Sequence, residues 1–597
     1  HGSACGLFCK RGDGLKTGTA KRLAAAAAAF ALLAGLTVGC AGRRSDPSAL
    51  AYVPLDDRPD NVERAEYLAE SLGYDLRMPD AGLYATRLDG QPLNESGLPC
   101  GDRAALYEWV LAQEESGCDR YVLSLDQLLS GGLVSSRAMT GQRSVTLSDG
   151  SSMTETELLE SLLDTLAADR HNEVWLLDSV MRLAPTVGYG GFGLNEYNAL
   201  REYGIAARPH LSGGELTVEN IVADYRLGAD GQELELNAAE PLPDGALENY
   251  LAARARKLRL SARTQETLSD KKYRGFHLLV GIDDSSAEDS VQKNEIAYLS
   301  AGLREGDALL SGVDDLAFKA IAKLYLGDCG WKGARASVRY IGGRETEPAC
   351  AYDYQPLDVL VEQHMDFFGL ELAQPTDKKP AELSILVLTA PAEPERLGDY
   401  VWAAVNAVNE NRTAQIPTIF IDAANDAYGT TVHDALTEQA ELGLLLAYSG
   451  FLDMAIVTGT AISHGAARYA RLTCGAPREP DEAAETAFVR TLADSVVKDF
   501  AYRNTVRNDL YAYVRDELGG SPDNFYRPEI DRAAVLARLE EDMAVSAAPV
   551  LKNFSDGAIL TGLSPWTETP CGELTLSNYR FPWERVFEIG MDIRRAG

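Results

Sequence analysis

At 597 residues the chain exceeds what one ordinary hydrophobic core holds, so two or three domains are expected. Its 46% hydrophobic and 24% charged residues are those of a globular protein and exclude a disordered one. A net charge of -33 and a pI near 4.6 exclude nucleic acid and anionic membrane surfaces as partners, because both need Lys and Arg to meet them.

The N-terminal stretch has its own character. Lys10, Arg11, Lys16, Lys21 and Arg22 precede an apolar run from Leu23 to Val38, and Gly39-Cys40-Ala41-Gly42 follows. A basic region, a short apolar run and small residues at the break predict an export leader over 1–40, with 41–50 as a linker. Cys40 sits where bacterial lipoproteins carry their lipid acceptor, although Thr37 stands where their Leu is usual. The expectation is an extracytoplasmic protein anchored through Cys40, with plain secretion as the alternative. Cys100 with Cys118, and Cys329 with Cys350, are either disulfides or buried thiols, and no C-x-x-C pair points to zinc.

From Ala51 onward short β-branched runs alternate with amphipathic segments. The predicted strands are 51–55, 121–125, 174–177, 276–282, 308–313, 337–341, 383–388, 418–421 and 444–448. Helices are predicted over 62–72, 292–302, 315–326, 356–368, 398–409 and 460–472. Alternation of this kind predicts an α/β protein of repeated β-α units on parallel sheets. Two doubly wound halves, 51–185 and 271–475, are preferred over a (β/α)8-type barrel, because a Gly-rich excursion or small subdomain, 186–270, divides the strands. After 475 the pattern turns mainly helical, so 476–597 reads as a mainly α C-terminal portion.

Both architectures place functional groups just past the strand ends. Those positions hold Asp56, Asp57 and Arg58; Asp126; Asp178 with Arg182; Asp283 and Asp284; Asp314 and Asp315; and Asp422 with Asn425 and Asp426. One aspartate alone reads as a turn or helix cap, and Asp315 is an obvious cap candidate. The set reads as a shared acidic site. Strand alternation sends Asp56 and Asp57 to opposite faces, so one reaches the site while Arg58 pairs with the other.

Paired carboxylates suit general acid, base or nucleophile work, as in glycoside hydrolysis. They also suit Mg²⁺ or Ca²⁺ held by oxygen ligands. The expected catalytic residues are Asp57 and Asp284, supported by Asp126 and Asp315. Arg58, Asn61, Arg137 and Arg182 are candidate substrate contacts. Gly131, Gly132 and Ser136 form either an anion-binding backbone loop or a plain tight turn. Gly188-Tyr189-Gly190-Gly191-Phe192-Gly193 follows no strand and reads as a loop with aromatic contacts rather than a nucleotide loop. The histidines lack metal-ligand spacing, and no G-x-S-x-G elbow or P-loop is present.

These readings leave three functions: an exported hydrolase acting on carbohydrate, a surface lipoprotein that binds a small molecule or glycan without catalysis, and a metal-dependent phosphoester hydrolase. The last lacks the histidines common in such sites.

Several stretches carry a resemblance. Pro54-Leu55-Asp56-Asp57-Arg58-Pro59 with Asn61, Ser124-Leu125-Asp126-Gln127-Leu128-Leu129 running on to Arg137, Gly281-Ile282-Asp283-Asp284, Asp314-Asp315, and Phe581-Pro582-Trp583-Glu584-Arg585 with Phe587-Glu588 occur in this order. Together the chain resembles an uncharacterised bacterial family, domain-of-unknown-function family 4127, which implies no particular reaction. Tyr448 to Thr460 departs from that family's pattern: Gly450, Gly459 and Thr460 are kept, while two Asn-Thr pairs are absent. Losing those amides implies an altered or silent site.

Overall fold

The computed structural model describes residues 46–374, 376–424, 429–450, 454–474 and 481–596. The leader, Cys40, Asn425 and Asp426 lie outside them. Ser48–Gly597 forms one unit, built on two parallel sheets rather than a barrel.

In the first sheet, β1 is Ala49–Val53, β2 Asp75–Arg77, β3 Arg120–Ser124, β4 Glu173–Val180, β5 Phe276–Ile282 and β6 Ala308–Ser311. They lie in the order β2-β1-β3-β4-β5-β6. In the second, β7 is Ala334–Ile341, β8 Leu370–Leu372, β9 Leu383–Thr389, β10 Thr418–Ala423 and β11 Ala447–Ser449, ordered β8-β7-β9-β10-β11. Each sheet therefore reverses its winding after its second strand, the doubly wound arrangement that opens a crevice at the carboxyl ends of the strands. The first sheet is registered Tyr52↔Val122 between β1 and β3 and Asp178↔Val280 between β4 and β5.

Helices α1 Glu63–Leu72, α2 Leu125–Ser130, α3 Ala246–Leu268, α4 Leu316–Asp328, α5 Met454–Thr473 and α6 Glu482–Val497 matter for the site. Helix α4 is apolar nearly all round, as a helix enclosed by protein must be. One apolar cluster runs from Tyr52 and Val122 through Phe318 and Ile321 of α4, and Ala461 and Ile462 of α5, to Ile385 and Ile419 of the second sheet. The two sheets thus share a core. The outer face of the first sheet is covered by the helices Arg103–Ser116 and Glu155–Ala167 together with segments between 192 and 301, and that of the second by Leu397–Thr413, Gly429–Gln439 and the helices after 481.

The C-terminal portion is not helical throughout. It ends in two antiparallel hairpins, Ala558–Leu563 with Trp566–Pro570 and Glu573–Arg580 with Gly590–Ala596. The loop inside the second hairpin, 581–589, reaches back to the first sheet. The six described cysteines are all free thiols, so neither suggested disulfide forms. Among the described residues no helix is long and apolar enough to cross a membrane.

Candidate functional site

A cavity of about 280 Å³ lies at the carboxyl ends of β1, β5 and β6. Its walls include Arg58, Asp283, Asp284 and Asp314 from the strand ends, and Arg137, Arg182, Tyr197 and Tyr352 from neighbouring loops and a helix. The far wall is the C-terminal loop, with Trp583, Arg585, Phe587 and Glu588. Ile456, at the start of α5, also touches it.

Most of the acidic groups here are answered by guanidinium. Asp56 turns inward, fully buried, and accepts from Arg58 Nη2 at 2.8 Å and Asn61 Nδ2 at 3.0 Å. Arg58 also forks onto Asp314, with Nη1 at 2.9 Å. Burial lifts Asp314 against the pull of Arg58, to about 6. Arg137 donates from Nε to Asp283 at 2.9 Å and from Nη1 to Thr186 at 2.9 Å. Burial would raise Asp283, but Arg137 and Arg182 outweigh it and hold this carboxyl below its ordinary value. Arg182 pairs with Asp284 and lies over the Tyr197 ring.

Glu588 is different. It is 2% exposed, and among the described residues neither carboxyl oxygen has a hydrogen-bond partner. Burial, with Asp60 nearby, raises it well above its ordinary value, against the pull of Lys498 and Arg58. Trp583 joins this wall to the opening strand. Its Nε1 donates to Asp57 Oδ1 at 2.8 Å, and its ring lies 4.7 Å from the Arg58 guanidinium carbon. Burial and Asp56 push Asp57 up to about 6, against the bonds from Trp583 and the Thr86 N–H. Trp583 and Glu584 hold φ of 54° and 52°, a left-handed backbone that costs non-glycine residues energy and clusters at functional sites.

Of the four expected catalytic aspartates, only Asp284 lines the cavity. Asp57 stands in contact with its Trp583 wall. Asp126 is 1% exposed and ion-paired to Lys257 of α3 at 2.6 Å, while Asp178 pairs with the same ammonium. Burial would depress Lys257, but the two carboxylates hold it above its ordinary value. Asp315 is buried beside Lys319 at 2.9 Å and is lifted to about 6 by burial. The strand ends bring these two carboxylates into structural ion pairs because Lys257 and Lys319 come from helices packed under the sheet, so the expected active-site role for Asp126 and Asp315 is corrected.

Among the expected substrate contacts, Arg58, Arg137 and Arg182 line the cavity. Asn61 does not; it is buried and braces Asp56. Gly131 and Gly132 do not wrap an anion. Their N–H groups donate to Gln127 O and Asp126 O, closing the end of α2. Their φ of 81° and 126° require glycine, and a Cβ on Gly131 would meet the Cys100 sulfur. Ser136 is buried and donates to Leu133 O at 2.8 Å. The tight-turn reading of that loop is the correct one.

Sequence reasoning missed Tyr197, Tyr352, Arg585 and Glu588 as wall residues, and placed Asp283 and Asp314 in the acidic set without picking them out. The doublets Asp283-Asp284 and Asp314-Asp315 gave a signal but no way to choose the member. Arg585 and Glu588 belong to a stretch singled out only as a landmark.

A second cluster lies at the ends of β10 and β11. His433 Nε2 meets Asp422 at 2.7 Å and Asp499 at 3.5 Å, and Tyr448 donates to Asp499. Arg503 pairs with Asp499 at 3.0 Å. Burial would lower His433, yet Asp499 and Asp422 hold its imidazole above its ordinary value. Among the described residues this is the group of ligand atoms close enough, within 4.8 Å, to share a cation. The expected carboxylates Asp57, Asp126, Asp284 and Asp315 do not form such a group among the described residues. Gly450 and Gly459 survive the altered 448–460 stretch for steric reasons. A Cβ on Gly450 would strike Asp499 and the Tyr448 hydroxyl, and one on Gly459 would strike Asp315 and Lys319.

Searches of curated proteins and of solved structures returned no match. The profile described as "Protein of unknown function (DUF4127)" matches residues 50–592, and the chain belongs to that family.

Proposed function

We propose that the cavity is the active site of a hydrolase acting on a polyhydroxylated, carbohydrate-like substrate. One observation carries this reading. The same cavity holds a carboxyl pushed up by burial, Glu588, and a carboxylate held down by guanidinium, Asp283. Environments that push two carboxyl groups apart in pKa are how one site supplies both an acid and a base. Glu588 is assigned as general acid. Asp284, whose side chain is 22% exposed, is the more open carboxylate and is assigned as base or nucleophile. The rings of Tyr197, Tyr352 and Trp583 offer apolar faces for a sugar ring.

A panel of 4-nitrophenyl glycosides tests it. Glu588→Gln and Asp284→Asn should each lower kcat at least about 100-fold on any substrate that turns over. Wild-type turnover in Glu588→Gln would refute the assignment.

One observation favours a second reading, ligand binding without chemistry. Each lining aspartate is already engaged by an arginine, a preorganised arrangement that suits grip as well as turnover. A sugar that binds tightly and survives unchanged over days would support it.

The leader pattern supports export and a lipid anchor on Cys40. Labelled palmitate should enter the wild-type chain in a bacterial host and fail to enter Cys40→Ser.

A further inference from the structure

The fourth cavity arginine stands apart from the other three. Arg58, Arg137 and Arg182 each hold a carboxylate. Arg585 has only carbonyl partners: its Nε donates to Asp523 O at 3.2 Å and its Nη2 to Val187 O. Among the described residues its Nη1 makes no hydrogen bond. Gly188, with φ of 93°, lets this guanidinium lie against the 187–188 backbone, where a Cβ would come within 3.3 Å of Nη2. Two carbonyl clamps thus fix the plane of the group while leaving one edge of it open among the described residues. Burial outweighs the pull of Asp523 and lowers this guanidinium, so a ligand that brings negative charge to the open edge is favoured.

Resting on the ligand site proposed above, we infer that the substrate carries a carboxylate and that Arg585 receives it. A planar carboxylate matches the open guanidinium edge. With the polyhydroxylated ligand proposed above, the ligand class is a sugar acid.

The test compares D-glucuronate, D-glucose and D-glucose 6-phosphate binding to the full chain by calorimetry. Glucuronate should bind at least about tenfold more tightly than glucose and more tightly than the phosphate ester. Raising NaCl should weaken glucuronate alone among the neutral and carboxylate sugars, since only a charge pair is screened. Arg585→Gln should abolish the preference for glucuronate over glucose. Equal binding of glucuronate and glucose, a preference for the phosphate, or a preference that survives in Arg585→Gln would overturn the inference. If Arg585→Gln does not fold, the wild-type ranking and its salt dependence decide. The two claims fail separately. Glu588-dependent turnover of neutral glycosides without a carboxylate preference sinks only the inference. An Arg585-dependent preference with full turnover in Glu588→Gln sinks only the proposed chemistry.

Discussion

The Trp583 indole donates to Asp57 across 526 residues of chain, tying the C-terminal loop to the first strand end at 2.8 Å. That bond closes one wall of the cavity, and its loss should be felt on both sides. Trp583→Phe keeps a ring but removes the donor. We expect a loss of about 1.5 kcal/mol in stability from the bond to a charged group. The Asp57 carboxyl should titrate above its present value of about 6, because the Trp583 bond holds it down. Urea unfolding and a carboxyl-resolved NMR titration check the two effects; an unmoved Asp57 would show that the bond is not made.

The Lys257 ammonium neutralises two buried carboxylates, Asp126 and Asp178. Lys257→Met leaves both unpaired and should cost about 3–5 kcal/mol. Adding Asp126→Asn and Asp178→Asn to the same chain should recover most of that loss. Equilibrium unfolding of the single and triple variants is the measurement, and a single variant as stable as wild type would contradict the structure.

Several carboxyl groups invert the usual dependence of stability on pH. Asp57, Asp314 and Asp315 titrate near 6 when folded and near 3.8 when unfolded. Between those values the folded chain binds more protons, so stability falls as pH rises through the window. Asp60, Asp283 and Asp422 are lowered instead, so their contribution is present above 3.8 and is lost as pH falls further. The two sets together place the stability maximum on the acid side of neutrality. A melting temperature followed between about pH 4 and 8 should peak below about 6, and the fall above the peak should be shallower in Asp57→Asn.

His433 bridges Asp422 and Asp499 as an imidazolium, its pKa raised in the fold above 6.5. Its contribution is fully present below 6.5 and is lost as pH rises through the folded value. His433→Asn should therefore destabilise by about 2–4 kcal/mol near pH 5.5, and by clearly less near pH 9. Unfolding at the two pH values gives the difference; an equal loss at both would mean that the ring is held neutral.

The long apolar runs made the central strands and the parallel, doubly wound architecture legible in the sequence. Two edge strands, Asp75–Arg77 and Leu370–Leu372, went unseen because each is three residues long and largely exposed. Their packing is one-sided, so they carry no buried run to read. The aspartates at the strand ends were also legible as a set. Which of them reach the cavity was not, because that depends on cations such as Lys257, 131 residues from Asp126. An aspartate buried on a lysine and one open at the cavity look identical in one dimension. Glu588 shows the same limit from the other side. Its upward shift comes from the loop fold that encloses it, and nothing in its neighbours along the chain announces that.

The wall formed by Trp583, Arg585 and Glu588 has a consequence for biosynthesis. These side chains leave the ribosome long after the strand ends they face. Any chain terminated before Pro582 carries the sheet and its aspartates but no enclosed cavity. Translation must therefore pass Glu588 before the site exists, and products truncated ahead of Pro582 should be inert however well their sheets fold.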